Sequence, residues 1–198
     1  DIAKQAEELG TVALFTFDEL LADLIDFTPY LKNIVAEWES DPLHSGQVII
    51  PAEGAKESGA ERFRLDAYID DWLATSGRDP LFVLGRYGIG KTTFVKRLSA
   101  RLARAYLKDP VKNRVPVLMP LREYTNLTDM DELIVARIAE LAPEQAPPSR
   151  RAFRLLLEAG RFCLVLDGLD ESDLLALHRQ LVLLRTYDER SVVYHRQG

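Results

Sequence analysis

The stretch Leu81-Phe82-Val83-Leu84-Gly85-Arg86-Tyr87-Gly88-Ile89-Gly90-Lys91-Thr92 decides how the chain is read. Its first four residues suit a buried strand, and the next eight satisfy G-x-x-x-x-G-K-[ST] at every fixed position. Thr93-Phe94-Val95-Lys96-Arg97-Leu98, with Leu102 and Tyr106 at helical spacing, then continue as a helix. Successive backbone N–H groups wrap a phosphate only where the chain turns tightly, and Gly85, Gly88 and Gly90 are expected to permit that turn. The partial positive charge at the start of the following helix adds to the cradle. In such a loop Lys91 reaches the β and γ phosphates and the Thr92 hydroxyl ligates Mg²⁺. Arg86, Tyr87 and Ile89 fill variable positions. Arg86 and Tyr87 lie within reach of phosphate or base, although exposed loop side chains are the simpler reading.

A second segment completes the chemistry. Phe162-Cys163-Leu164-Val165-Leu166 is an unbroken apolar run, as a central parallel strand requires, and Asp167-Gly168-Leu169-Asp170-Glu171 follows it. Carboxylates at the carboxyl end of a parallel strand border the crevice where ligands bind. Asp167 is the expected metal ligand, through water, on a strand expected to neighbour the loop. Asp170 and Glu171 are candidates to orient and deprotonate an attacking water. Cys163 lies inside the apolar run and reads as a small core hydrophobe.

Together the two segments resemble the NACHT family of signal-transducing ATPases, within the wider STAND group of P-loop NTPases. The resemblance rests on Gly88-Ile89-Gly90-Lys91-Thr92-Thr93 and on the acidic motif Asp167-Gly168-Leu169-Asp170-Glu171, with its tiny residue and doubled acid. Val115-Pro116-Val117-Leu118-Met119-Pro120-Leu121-Arg122-Glu123 looks like that family's second strand. Ser191-Val192-Val193-Tyr194-His195-Arg196 falls where the family has its sensor strand, so Arg196 would contact the γ phosphate. The resemblance implies a slow ATP/ADP switch with Mg²⁺, a homo-oligomer on activation, and effector and sensor domains outside this chain. Bacterial members suggest antiviral defence.

Around these segments the pattern alternates strand and helix: Leu81–Leu84, 91–107, Val115–Met119, 129–141, 149–159, Phe162–Leu166, 172–186 and Ser191–Tyr194. This predicts an α/β fold, a three-layer α/β/α sandwich around a parallel sheet. The α-helical leader before it is expected to hold a strand at 11–15, a capping box at Thr16-Phe17-Asp18-Glu19 and a fresh N-cap at Thr28 before Pro29. The expected division is a leader over 1–39, a linker over 40–64 with a strand-like patch at Gln47–Ile50, and an incomplete NTPase core over 65–198. Asp1-Ile2-Ala3-Lys4 carries neither an initiating Met nor a signal sequence, so the chain reads as an excerpt of something longer.

Composition narrows the alternatives. The 198 residues are 47% hydrophobic and 28% charged, with one cysteine, which excludes an intrachain disulfide and fits a reducing, cytoplasmic setting. No apolar run reaches the roughly 18 residues of a membrane span. Net charge is −6, but residues 1–60 hold 12 acidic and 3 basic side chains while the remainder holds 19 and 22. Basic residues are interspersed with acids, so no direct nucleic-acid contact is expected. His44, His178 and His195 have no metal-site spacing, and no Gly-x-Ser-x-Gly elbow occurs. No guanine-reading Asn/Thr-Lys-x-Asp motif appears, which favours ATP. Two rival readings are a non-hydrolysing nucleotide-binding scaffold and an AAA+-like motor or loader ATPase.

Overall fold

The computed structural model describes residues 15–42, 52–55, 62–74, 81–86, 88–121, 130–144, 149–169 and 192–197. In chain order these form α1 (Phe17–Asp23), α2 (Thr28–Ser40), β1 (Glu53–Ala55), β2 (Arg62–Arg64), α3 (Leu65–Ala74), β3 (Leu81–Gly85) and α4 (Lys91–Lys108). There follow β4 (Val115–Pro120), α5 (Met130–Leu141), α6 (Arg150–Glu158), β5 (Phe162–Leu169) and β6 (Val192–Gln197). Strands β1 and β2 pair as a short antiparallel ribbon. The other four make a parallel sheet in the order β3-β6-β5-β4. The strand expected at 11–14, the patch at Gln47–Ile50 and the helix over 172–186 lie outside the described residues, and Phe15 is not in a strand.

Local chemistry explains the N-terminal helices. The Thr16 hydroxyl accepts from the Glu19 N–H at 3.2 Å and the Thr16 N–H donates to Glu19 Oε2 at 2.6 Å, a complete capping box. The Thr16 N–H and, at 2.9 Å, the Thr16 hydroxyl both donate to Glu19 Oε2 and hold that carboxyl below its usual range. Thr28 is a correction. It is the first residue of α2 rather than its cap: the Leu31 N–H donates to the Phe27 carbonyl at 2.9 Å, which puts Phe27 at the N-cap, and Asp26 Oδ1 accepts from the Thr28 N–H at 2.8 Å.

Two sets of side chains pack on the sheet, in phase with its alternation. Cys163 and Val165 of β5 cluster with Leu65 and Ile69 of α3 and with Phe94, Val95 and Leu98 of α4. Leu164 and Leu166 cluster with Phe153, Leu156 and Leu157 of α6 and with the N-terminal helices. Those helices enter the core: Leu21, Phe27, Tyr30, Leu31 and Ile34 are buried, and the Phe27 ring meets Phe162 edge-on at 5.6 Å.

Helix α2 also closes one side of the sheet. The Tyr30 hydroxyl, fully buried, donates to the Pro116 carbonyl at 3.1 Å, and Arg137 Nε donates to the Leu118 carbonyl at 3.2 Å. Both carbonyls point away from β5, since alternate residues of a strand present their polar groups to the same side. Pro116 and Pro120 share that phase, so their missing N–H groups remove no ladder bond. Side-chain donors and two prolines thus blunt the β4 edge.

Helix α4 carries Arg97, Arg101 and Arg104 along one stripe. They pair with Asp66 and Asp70 of α3 and Glu39 of α2 at 2.7, 2.7 and 2.8 Å. The Arg97–Asp66 pair is half-buried, whereas the other two are exposed and contribute about 0–1 kcal/mol each, orienting the helices more than holding them.

Replacing Tyr30 with Phe leaves the Pro116 carbonyl without its buried donor. The expected loss is about 1–3 kcal/mol of unfolding free energy in urea titration, whereas Thr16→Ala at the exposed capping box should cost about 1 kcal/mol. A Tyr30→Phe protein as stable as the parent would contradict the edge closure.

Candidate functional site

Strand β3 runs into the loop at Gly85, and α4 leaves it at Lys91. Between them Gly88 and Gly90 hold φ of 76° and 92°, in the left-handed region that residues with a Cβ adopt only at a cost. Gly85 plays a different part from the one expected of it. It is the last residue of β3 and has no positive φ, but a Cβ there would come within 3.2 Å of Ile89 Cγ2 and 3.4 Å of Lys91 Cδ. At Gly88 and Gly90 a Cβ would meet nothing within 4 Å. Two glycines thus supply backbone conformation and the third supplies room for the loop to fold over itself.

The start of α4 is chemically distinct among the described helices. Helix α1 is capped by Thr16, α2 receives Asp26, and α6 is capped by Ser149. Helices α3 and α5 have Asp66, Asp131 and Glu132 in their first turns. Helix α4 has Gly90 at its N-cap, no side-chain cap bond and no acid in its first turn. Its first amides, which have no intrahelical partner, therefore meet no acceptor from a capping side chain. Their partial positive charge is reinforced by Lys91.

Lys91 is folded under the loop. Its Nζ donates to the carbonyls of Gly85 and Arg86, the latter at 2.9 Å. Two main-chain carbonyls thereby hold the ammonium beside the cradle. Thr92, Arg86 and Ile89 are exposed and Thr93 is half-buried. Tyr87 lies outside the described residues.

Asp167 pairs in register with Pro120 of β4, so β5 is still regular at that point. It is buried, at 8% exposure. By phase with Cys163 and Val165 it belongs to the face that α4, with Thr92 in its first turn, covers. The expected neighbouring of the two strands is corrected: β6 lies between β3 and β5. Two strand spacings place the β3 and β5 backbones about 10 Å apart. Arg196 sits on that intervening strand, paired with Leu84 on one side and Leu169 on the other. Asp170 and Glu171 lie outside the described residues.

A hydroxyl and a carboxylate are hard oxygen donors of the kind Mg²⁺ takes while keeping several waters, so Thr92 and Asp167 fit that ion. Cys163 is fully buried, and burial pushes its thiol up to about 12, which leaves it inert as a nucleophile. Among the described residues no cluster of three or more His, Cys, Asp or Glu side chains could hold a metal on its own. No described helix is long and apolar enough to cross a membrane.

A parallel sheet feeding a glycine loop into an acid-free helix start, with a lysine behind it, defines a P-loop nucleoside-triphosphatase domain. The NACHT domain family matches residues 79–186, more than half of the chain, and the protein belongs to that family. The chain is also 27% identical, over 184 residues, to an uncharacterized WD repeat-containing protein of Nostoc sp.. That alignment covers 83% of this chain but 12% of the relative. No solved structure matches the chain.

The two glycine roles separate experimentally. Gly85→Ala should lower nucleotide affinity by crowding Ile89, and adding Ile89→Ala should restore it. Gly90→Ala, whose cost is conformational and about 1–2 kcal/mol, should not respond to Ile89→Ala. Titration with a fluorescent nucleotide distinguishes the two, and equal rescue of both would refute the assignment.

Proposed function

We propose that this chain is the nucleotide-binding core of a switch ATPase, binding Mg·ATP at residues 85–92 and hydrolysing it slowly, with the bound nucleotide setting conformation and assembly. The observation that carries this reading is the start of α4: first-turn amides with neither a capping side chain nor an acid, next to left-handed Gly88 and Gly90 and to Lys91. Such a helix end favours a polyanion. Lys91 would exchange its hold on the Gly85 and Arg86 carbonyls for β and γ phosphate oxygens, a charge-assisted contact. Residues 86–90, Thr92 and Thr93 would line the cradle.

Thr92 and Asp167 would hold Mg²⁺, the latter through water; the ion would neutralise charge developing between the β and γ phosphates. Asp170 and Glu171 are assigned to orienting the attacking water and taking its proton. Arg196, from the strand between the loop and the acid, is assigned to the γ phosphate. The finer architecture proposed is a three-layer α/β/α sandwich with residues 65–198 as its core. Residues 40–64 are read as a linker, and 1–39 as the end of an N-terminal module whose second helix docks on the core.

The relative named for WD repeats is much longer than the segment aligned with this chain. It supports a reading in which this core acts inside a larger cytoplasmic protein, between effector and sensor parts, and forms a homo-oligomer when activated. Bacterial defence against viruses is the proposed setting.

Titration calorimetry with Mg·ATP tests the core of this reading. Lys91→Ala should weaken binding by about a hundredfold. Asp170→Asn and Glu171→Gln together should abolish turnover with binding kept, since water activation contributes about 10²–10⁴-fold. Binding at wild-type strength in the Lys91→Ala protein overturns the assignment, and a parent protein without turnover turns the ATPase into a scaffold.

A further inference from the structure

Strand β5 does not end as it begins. It keeps register with β4 from Phe162 to Asp167, and Leu164, Val165 and Leu166 pair with Val192, Val193 and Tyr194 of β6. The next pair is Leu169 with Arg196. Three steps along β5 therefore meet two along β6, and the extra residue falls beside Gly168, whose φ is 84°. One residue added to one strand is a β-bulge, and it reverses the alternation of whatever follows.

Asp167 is in phase with Cys163 and Val165, on the face that α4 covers. In a regular strand Leu169 would take the next position on that face. Leu169 is instead paired with Arg196, which is in phase with Tyr194 and hence with Leu166. It therefore takes a register position on the opposite face.

We propose that Gly168 is a positioning residue for the metal side of the nucleotide site: its left-handed turn moves the register position of Leu169 off the face that carries Asp167. The inference rests on the reading of the site as a Mg·ATP site. Bulges beside functional sites commonly re-aim a side chain in this way. The sequence marks Gly168 only as small. The backbone asks for more, because at this φ alanine is small enough yet strained, while asparagine is larger yet tolerates the left-handed region better.

The size and conformation requirements therefore predict opposite rankings of two variants. A fluorescent ATP analogue is titrated into the parent, Gly168→Ala and Gly168→Asn proteins, each with saturating Mg²⁺ and with EDTA, and each protein is melted thermally. The ratio of the two affinities measures how far the metal assists binding. Affinity in EDTA should agree within about twofold across the three, since Lys91 and the α4 amides are untouched. The metal-assisted gain should fall about tenfold in Gly168→Ala and less than about threefold in Gly168→Asn.

A Gly168→Ala protein with the full gain, or an asparagine variant no better than alanine, overturns the proposal. Should Gly168→Ala fail to fold, the asparagine variant decides alone: a gain within threefold of the parent supports the proposal, and a larger loss refutes it. A parent protein that binds in neither condition fails the Mg·ATP reading itself, which is a different result from a parent gain that Gly168→Ala preserves.

Discussion

Main-chain amides at the start of a helix must be met by something, and at α4 no capping side chain meets them. Every other described helix receives a Ser, Thr or Asp oxygen or keeps an acid in its first turn. Only α4 begins on glycine with lysine at its first position. The surrounding fold follows from this constraint. Gly88 and Gly90 turn the chain into the helix, Gly85 leaves room for Ile89 and Lys91, and two carbonyls hold the lysine. The sheet then supplies a rigid base from which strand ends can address whatever occupies the cradle.

That base is finished by residues far from the loop in sequence. Phe27, Tyr30 and Leu31 are buried against strands that begin about 85 and about 130 residues later, at Val115 and Phe162. The ion pairs from α4 to Asp66, Asp70 and Glu39 run the length of the same helix that starts at the phosphate loop. One of them, Arg104 with Glu39, joins the acid-rich N-terminal part to the rest of the chain. The energy of this arrangement lies in the apolar burial, with the ion pairs setting direction.

Much of this was legible in the sequence. The loop, the strand before it and the helix after it fall within one residue of their expected limits, and the capping box at Thr16 forms as its pattern dictates. Helix α2 begins at Thr28 instead of after it because the Leu31 N–H reaches back to the Phe27 carbonyl, a tertiary-set bond that the Thr-Pro pattern does not record. Strand order was not legible, since periodicity reports which faces are buried and is silent on lateral neighbours. The sequence does carry one signal of it: Pro116 and Pro120, four apart in an apolar strand, suit an edge. The separate role of Gly85 and the bulge at Gly168 were hidden for a common reason. Each depends on where another strand or side chain arrives, and a motif records the glycine without recording its cause.

The closed border of β4 has a directional consequence. With Tyr30 and Arg137 occupying its outward carbonyls and prolines withholding two amides, that flank cannot template a further strand. Among the described residues the opposite flank belongs to β3, the strand that delivers the loop. Lateral growth of the sheet, whether by another segment of a longer polypeptide or by a second molecule, is thereby steered to the side where a nucleotide would be felt first.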